Sequence, residues 1–377
     1  MEKCSVKTLM VALAFCCVVV CAPVVSAERE DISDQLAEII EGSNVPSLAA
    51  AAVFDGSIVA AGASGVRKRG EPVPVSLHDK YHIGSCTKSM TATLAAIMVA
   101  EAKVTWQTTI GEVFTDLDVH EEYCNATLRQ LLSHTAGCPR DVPTVLWLRL
   151  WAARGTPRSQ RLELAKGILR KSPQYAPGTG FEYSNAGVSI AGAMLERLTD
   201  TPYETLMREK LFQPLGMRSA GFRAPATNGQ IDQPYGHNPR PVNPEPRGDN
   251  PQAIAPGGAV HCSILDFASY ARFHLGVGSE KILDQSALEF LQTPVDRDEG
   301  YAFGWRVVQR SWAGGDALTH TGCNKMFYAV IWLAPQRDFA AVAACNLGTE
   351  EGFRKCDAAI AFLVAKYLAQ GRDQPTE

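Results

Sequence analysis

Ser85-Cys86-Thr87-Lys88 places a hydroxyl and an amine three residues apart, at the mouth of an apolar run from Met90 to Ala100. On a helix, positions i and i+3 share one face, so the amine reaches the hydroxyl. A helix start adds unpaired N–H groups and positive partial charge beside the pair. A serine hydroxyl is a weak nucleophile until a neighbour takes its proton. The pattern implies acyl transfer, with Ser85 as nucleophile and Lys88 as base. One such quartet is a weak signal, so the rest of the chain has to supply a proton shuttle and an oxyanion site.

Two further triplets answer that need. Tyr183-Ser184-Asn185 follows the turn cluster Pro177-Gly178-Thr179-Gly180 and opens the apolar run Ala186–Leu198. That context fixes a tyrosine hydroxyl at a loop–helix corner. The plain alternative for Tyr183 is a buried tyrosine whose hydroxyl a neighbour satisfies. His320-Thr321-Gly322 lies between the strand-like runs Asp316–Thr319 and Met326–Leu333. A sheet edge there offers backbone N–H groups to an extended substrate, and the glycine allows close approach. The plain alternative is an ordinary turn.

The order Ser-x-x-Lys, Tyr-x-Asn, His-Thr-Gly resembles the serine β-lactamase and penicillin-binding protein family, in its class C-like branch with D-alanyl-D-alanine carboxypeptidases and esterases. Thr127–Gly137, Pro256-Gly257-Gly258 and Phe303-Gly304-Trp305-Arg306 also fit that family's habits. The resemblance covers nearly all of the chain after its first 27 residues. It implies an acyl-enzyme on Ser85, with Lys88 and Tyr183 moving the proton and His320 in the catalytic set. It assigns Asn185, Thr321 and Gly322 to substrate binding, and the N–H groups of Ser85 and Cys323 to the oxyanion hole. It requires no cofactor and no metal. Class C β-lactamases usually carry lysine where His320 stands, which shifts the expectation from lactam hydrolysis toward a peptide, amide or ester. A histidine with an ordinary pKa of about 6.5 also predicts a preference for anionic substrates that weakens as pH rises. The competing readings are a carboxylesterase on the same scaffold and a non-catalytic penicillin-binding or scaffold protein.

The elements that must position these residues read as an α/β (α+β) fold. Asp31–Glu41 has helical spacing, and Ser47–Phe54 with Ser57–Ser64 forms a hairpin around Asp55-Gly56. From Met90 to about Gly221 the pattern is helical. The stretch Arg223–Pro256 is rich in proline and glycine and reads as a functional loop. Phe303–Val308, Phe327–Leu333 and Phe339–Ala344 read as strands, and Gly352–Leu368 as a last helix. The expected organisation is an antiparallel sheet flanked by the N- and C-terminal helices, as in β-lactamases and transpeptidases. Residues 28–89 and 257–377 would form that domain, and 90–256, including loop 223–256, an inserted helical one.

The formal net charge of −4 and the absence of a basic run give no support to nucleic-acid binding. The expected partner is a small-molecule or peptide substrate, peptidoglycan-derived ones included. Lys3 and Lys7, an apolar core from Leu9 to Ala22 and the small-residue end Val25-Ser26-Ala27 read as a signal peptide over residues 1–27. The expected location is periplasmic or extracellular, with an uncleaved membrane anchor as the alternative. Seven cysteines follow the leader; Cys124 and Cys138 flank one segment and are candidates for pairing.

Overall fold

The computed structural model describes residues 29–152, 154–245, 248–278 and 282–368, so the leader lies outside the described residues. Seven strands form one sheet in the order Glu30–Asp31, Ser57–Gly65, Ser47–Phe54, Phe339–Cys345, Tyr328–Ala334, Gly315–Cys323, Arg306–Arg310. All neighbours are antiparallel except the first pair. Both ends of the described chain therefore contribute to one sheet, as the pattern of strand-like runs predicts.

The period of two along the strands sorts their side chains to two faces. Ala49, Ala51 and Val53 join a core with Val342 and Ala344, while Leu48, Ala50 and Ala52 join another with Ala341 and Ala343. Helices Ser33–Ile40 and Glu350–Leu368 cover the second face through Leu36, Ile360 and Leu363. Helix Ile264–His274 packs on the first face. That helix and Gln285–Gln292 occupy a stretch in which the sequence reading placed no element.

Helix Thr87–Ala100 runs through the interior and is buried all round from Thr87 to Met98. Its hydroxyls find partners inside: Thr91 Oγ1 lies 2.7 Å from both the Tyr203 hydroxyl and the Pro256 carbonyl. A helix buried on every side cannot slide or fray toward water, which suits the element that follows Ser85 and carries Lys88.

The expected strand Phe303–Val308 begins later, at Arg306. Gly304 has a φ of +83°, and a Cβ there would run into the backbone of Ser89. The chain turns at this point and sends Phe303 and Trp305 into the core beside helix Thr87–Ala100.

The helical part is tied by one buried cation. Arg161 donates to Glu196 at 2.6 and 3.0 Å and to Glu204 at 2.8 Å through two nitrogens, and to the Gln252 carbonyl at 3.2 Å. These bonds join helices Pro157–Leu169, Asn185–Thr199 and Tyr203–Met207. Removing the guanidinium leaves Glu196 buried without its counter-charge. Arg161→Met is expected to cost about 3–5 kcal/mol, read as a lowered urea midpoint. A midpoint within error of wild type contradicts this role.

Candidate active site

Ser85 sits in the 3-10 turn Gly84–Cys86, which leads directly into the helix that carries Lys88. Side chains three apart eclipse in such a turn. Lys88 Nζ lies 3.1 Å from Ser85 Oγ, 2.6 Å from Asn185 Oδ1 and 2.6 Å from the Gly257 carbonyl. Amide and carbonyl oxygens only accept, so they take two N–H bonds. A neutral amine then has its lone pair left for the Ser85 hydroxyl proton. Burial pushes the Lys88 pKa down to about 7, which makes that neutral form available near neutral pH.

Tyr183 belongs to a corner fixed by its neighbour. Ser184 caps helix Asn185–Thr199: its Oγ accepts from the Gly187 N–H at 3.0 Å and donates to the Pro139 carbonyl at 2.7 Å. The capped corner leaves the Tyr183 side chain facing Ser85. Its ring centroid lies 4.7 Å from Lys88 Nζ, and its hydroxyl interacts with Ser85. Burial raises the Tyr183 pKa above the usual phenol value, so the group keeps its proton in the resting site.

The third wall is strand Gly315–Cys323, and His320-Thr321-Gly322 lies inside it rather than at a turn. Its outer neighbour, Arg306–Arg310, pairs only with Gly315–Thr319. Residues 320–323 therefore extend past that neighbour toward Ser85. A Cβ at Gly322 would run into the Ile83 carbonyl and lie 2.7 Å from the Ser85 nitrogen; one at Gly84 would lie 2.5 Å from the Cys323 nitrogen. Glycine at both positions lets the two candidate oxyanion peptides pack backbone to backbone.

Two cavities meet at Ser85. One, of about 470 Å³, is lined by Tyr183, His320, Thr321, Cys323, Arg140 and Arg306. The other, of about 540 Å³, is lined by Asn185, Trp147, Trp151, Asp249 and Cys323. The structure thus brings Ser85, Lys88, Tyr183, Asn185, His320, Thr321, Gly322 and Cys323 to one place. Thr321 is exposed in the cavity and its side chain also interacts with Tyr328. The Cys323 thiol is exposed at both cavities.

His320 departs from expectation in its charge. It is buried, and burial with Lys88 close by holds its pKa down to about 3. It is therefore a neutral hydrogen-bonding group, not a cation that titrates near pH 6.5. The preference for an anionic over an uncharged ester is expected to stay constant from about pH 5 to 8. A ratio that falls across that range in wild type and not in His320→Lys restores the titrating histidine.

Sequence reasoning missed several contacts. The Gly257 carbonyl that holds Lys88 stands in the Pro256-Gly257-Gly258 stretch, where the glycines carried the only signal. The proline-rich stretch supplies Asp249 to the cavity wall, and His82 Nε2 faces Asp249 Oδ1 at 3.0 Å without an aligned hydrogen bond. His237 and His261 are buried, and their Nδ1 atoms bond the Asn346 and Arg223 carbonyls at 2.9 and 2.8 Å. Cys124 and Cys138 are free thiols. Among the described residues no cluster of three His, Cys, Asp or Glu could hold a metal ion, and no helix is long and apolar enough to cross a membrane.

Comparison with known proteins gives a consistent picture. Residues 32–366 match the family model described as Beta-lactamase. The chain is 26% identical to penicillin-binding protein 4 of Amycolatopsis lactamdurans over 335 residues, which cover 82% of this chain and 83% of that protein. It is 27% identical to unguisins hydrolase ungD' of Aspergillus campestris over 286 residues, 71% of this chain and 52% of that protein. Its fold is similar to the octameric penicillin-binding protein homologue from Pyrococcus abyssi, with a TM-score of 0.72 and 22% identity over 89% of this chain and 78% of that one.

Proposed function

The chain belongs to the beta-lactamase family, and we propose that it is a serine hydrolase working through an acyl-enzyme on a peptide, amide or ester, in the manner of a D-alanyl-D-alanine carboxypeptidase. The observation that carries this reading is the amine of Lys88, buried and 3.1 Å from Ser85 Oγ with two fixed acceptors on its other side. Ser85 Oγ attacks the substrate carbonyl while its proton passes to Lys88 Nζ. The carbonyl oxygen gathers negative charge beside the N–H groups of Ser85 and Cys323, the kind of preorganised stabilisation that dominates acyl transfer. Tyr183, still protonated, donates to the leaving nitrogen or oxygen and is resupplied from Lys88. Collapse expels the leaving group and leaves the Ser85 ester, which water cleaves along the same proton path.

The leaving group lies on the Tyr183 side, in the cavity with Arg306, Thr321 and the Arg140–Glu182 pair, where Arg306 is the guanidinium left to meet a carboxylate. The acyl part lies on the Asn185 side, against Trp147 and Trp151. That aromatic lining favours a second reading, a carboxylesterase that takes apolar acyl groups. The deciding experiment measures turnover of a D-Ala-D-Ala peptide, nitrocefin and p-nitrophenyl butyrate side by side. The first reading expects the peptide to lead, and the second expects the butyrate to lead. Nitrocefin as the best substrate contradicts both. Export is part of the proposal and rests on the leader-like residues 1–27; N-terminal sequencing of secreted protein tests it.

A further inference from the structure

Behind the proton-handling residues, Tyr301 is buried between two imidazoles. Its hydroxyl lies 3.2 Å from His134 Nε2 and 3.3 Å from His320 Nε2. The far nitrogens are engaged as well. His134 Nδ1 is 3.1 Å from the Ser184 N–H donor, and His320 Nδ1 is 2.7 Å from the Thr321 carbonyl oxygen.

These ends fix every proton between them. A backbone N–H can only donate, so His134 Nδ1 holds a lone pair and the ring proton is on Nε2. That proton goes to the Tyr301 oxygen. The phenol has one proton, which then goes to His320 Nε2. His320 carries its own proton on Nδ1 and donates it to the Thr321 carbonyl, which can only accept. Four bonds run in one direction, from Ser184 to Thr321, and no polar atom of the three side chains is left over.

We propose that His134 and Tyr301 are positioning residues: with His320 they form a one-way hydrogen-bond chain that locks the Tyr183-Ser184-Asn185 corner to the His320-Thr321-Gly322 strand, both imidazoles neutral and in opposite tautomers. The groups facing them agree with neutrality. Lys88 and Arg306 present positive charge to both histidines, while Tyr183 packs its ring 4.6 Å from His134 and 6.1 Å from His320. A proton added to His134 would set its Nδ1–H against the Ser184 N–H, and one added to His320 would take away the acceptor of the Tyr301 hydroxyl. A lysine at position 320 has no acceptor for the Tyr301 hydroxyl, so His320→Lys breaks the chain.

The link to catalysis rests on the serine-hydrolase reading; the tautomers do not. Long-range ¹H–¹⁵N correlation of histidine-labelled wild-type protein, with the Tyr301→Phe variant for assignment, is the test. Two of the eight histidines are expected to shift in Tyr301→Phe, one an Nε2–H and the other an Nδ1–H tautomer in wild type, neither titrating between about pH 5.5 and 8.5. Identical tautomers, or a charged ring in that range, overturn the chain even in a protein that turns over no substrate. Tyr301→Phe is further expected to lower kcat about tenfold with KM changed less than about twofold, the mark of lost alignment rather than lost binding. An unchanged kcat, or an effect confined to KM, overturns the positioning role, while turnover by Ser85→Ala would remove the serine mechanism and leave the tautomers standing.

Discussion

Ser85→Ala is expected to lose covalent labelling by a fluorescent penicillin or fluorophosphonate and to lose at least about a thousandfold in kcat/KM, roughly 4 kcal/mol of transition-state stabilisation. The substitution removes one oxygen from the mouth of a buried helix. Lys88 keeps its bonds to Asn185 and the Gly257 carbonyl, so stability is expected to hold within about 1 kcal/mol of wild type. Equal melting temperatures with lost activity identify the hydroxyl as the nucleophile. A folded Ser85→Ala protein that still labels or turns over substrate refutes the assignment.

The second large effect belongs to Lys88. Below about pH 7 its amine holds a third proton and cannot accept one from Ser85. The kcat/KM profile is therefore expected to climb about tenfold per pH unit on its acid side and level off above an apparent pKa near 7. Lys88→Met is expected to lose at least about a thousandfold and to abolish that limb. A profile already flat from about pH 5 upward would point to another base.

The same residue makes a stability prediction of known sign. Unfolding returns Lys88 to an ordinary lysine pKa of about 10.4, whereas the folded value is about 7. Between those values the unfolded chain binds the extra proton, so this site's contribution to stability rises with pH across that window. Below pH 7 both states are protonated and the burial cost is present in full. Lys88→Met is expected to raise the urea midpoint at neutral pH and to remove the slope. A midpoint lower than wild type would mean that the bonds to Asn185 and Gly257 outweigh the desolvation of the amine.

Much of this site was legible because its parts are short and local. Ser85 with Lys88, and Tyr183 with Asn185, are each separated by no more than three residues, and turn and apolar patterns put both pairs at helix entrances. The apolar, strand-length runs Ser47–Phe54 and Phe339–Ala344 marked the sheet for the same reason. What sequence could not show are groups joined only by the folded chain. The Gly257 carbonyl is a backbone atom with no residue type to announce it. His134 and Tyr301 carry no signal of their own, and their order with His320 appears only when residues 167 and 19 positions apart are brought together. The charge of His320 misled for a related reason: its residue type fixes an ordinary pKa, and only burial beside Lys88 removes the titration.

The order of strands has a consequence for how activity first arises. The N-terminal hairpin finds its inner neighbour in Phe339–Cys345, and Ser47 donates to Asn346 across 299 residues. Ser85 is made well before Cys323, whose N–H is the second candidate oxyanion donor and lies on a strand that joins the hairpin only through two later ones. Such long-range closure is slow, and it waits for strand Phe339–Cys345 to be made. A nascent chain therefore carries Ser85 without the Cys323 N–H, and on the proposed mechanism it cannot acylate itself or its surroundings before Phe339–Cys345 has docked.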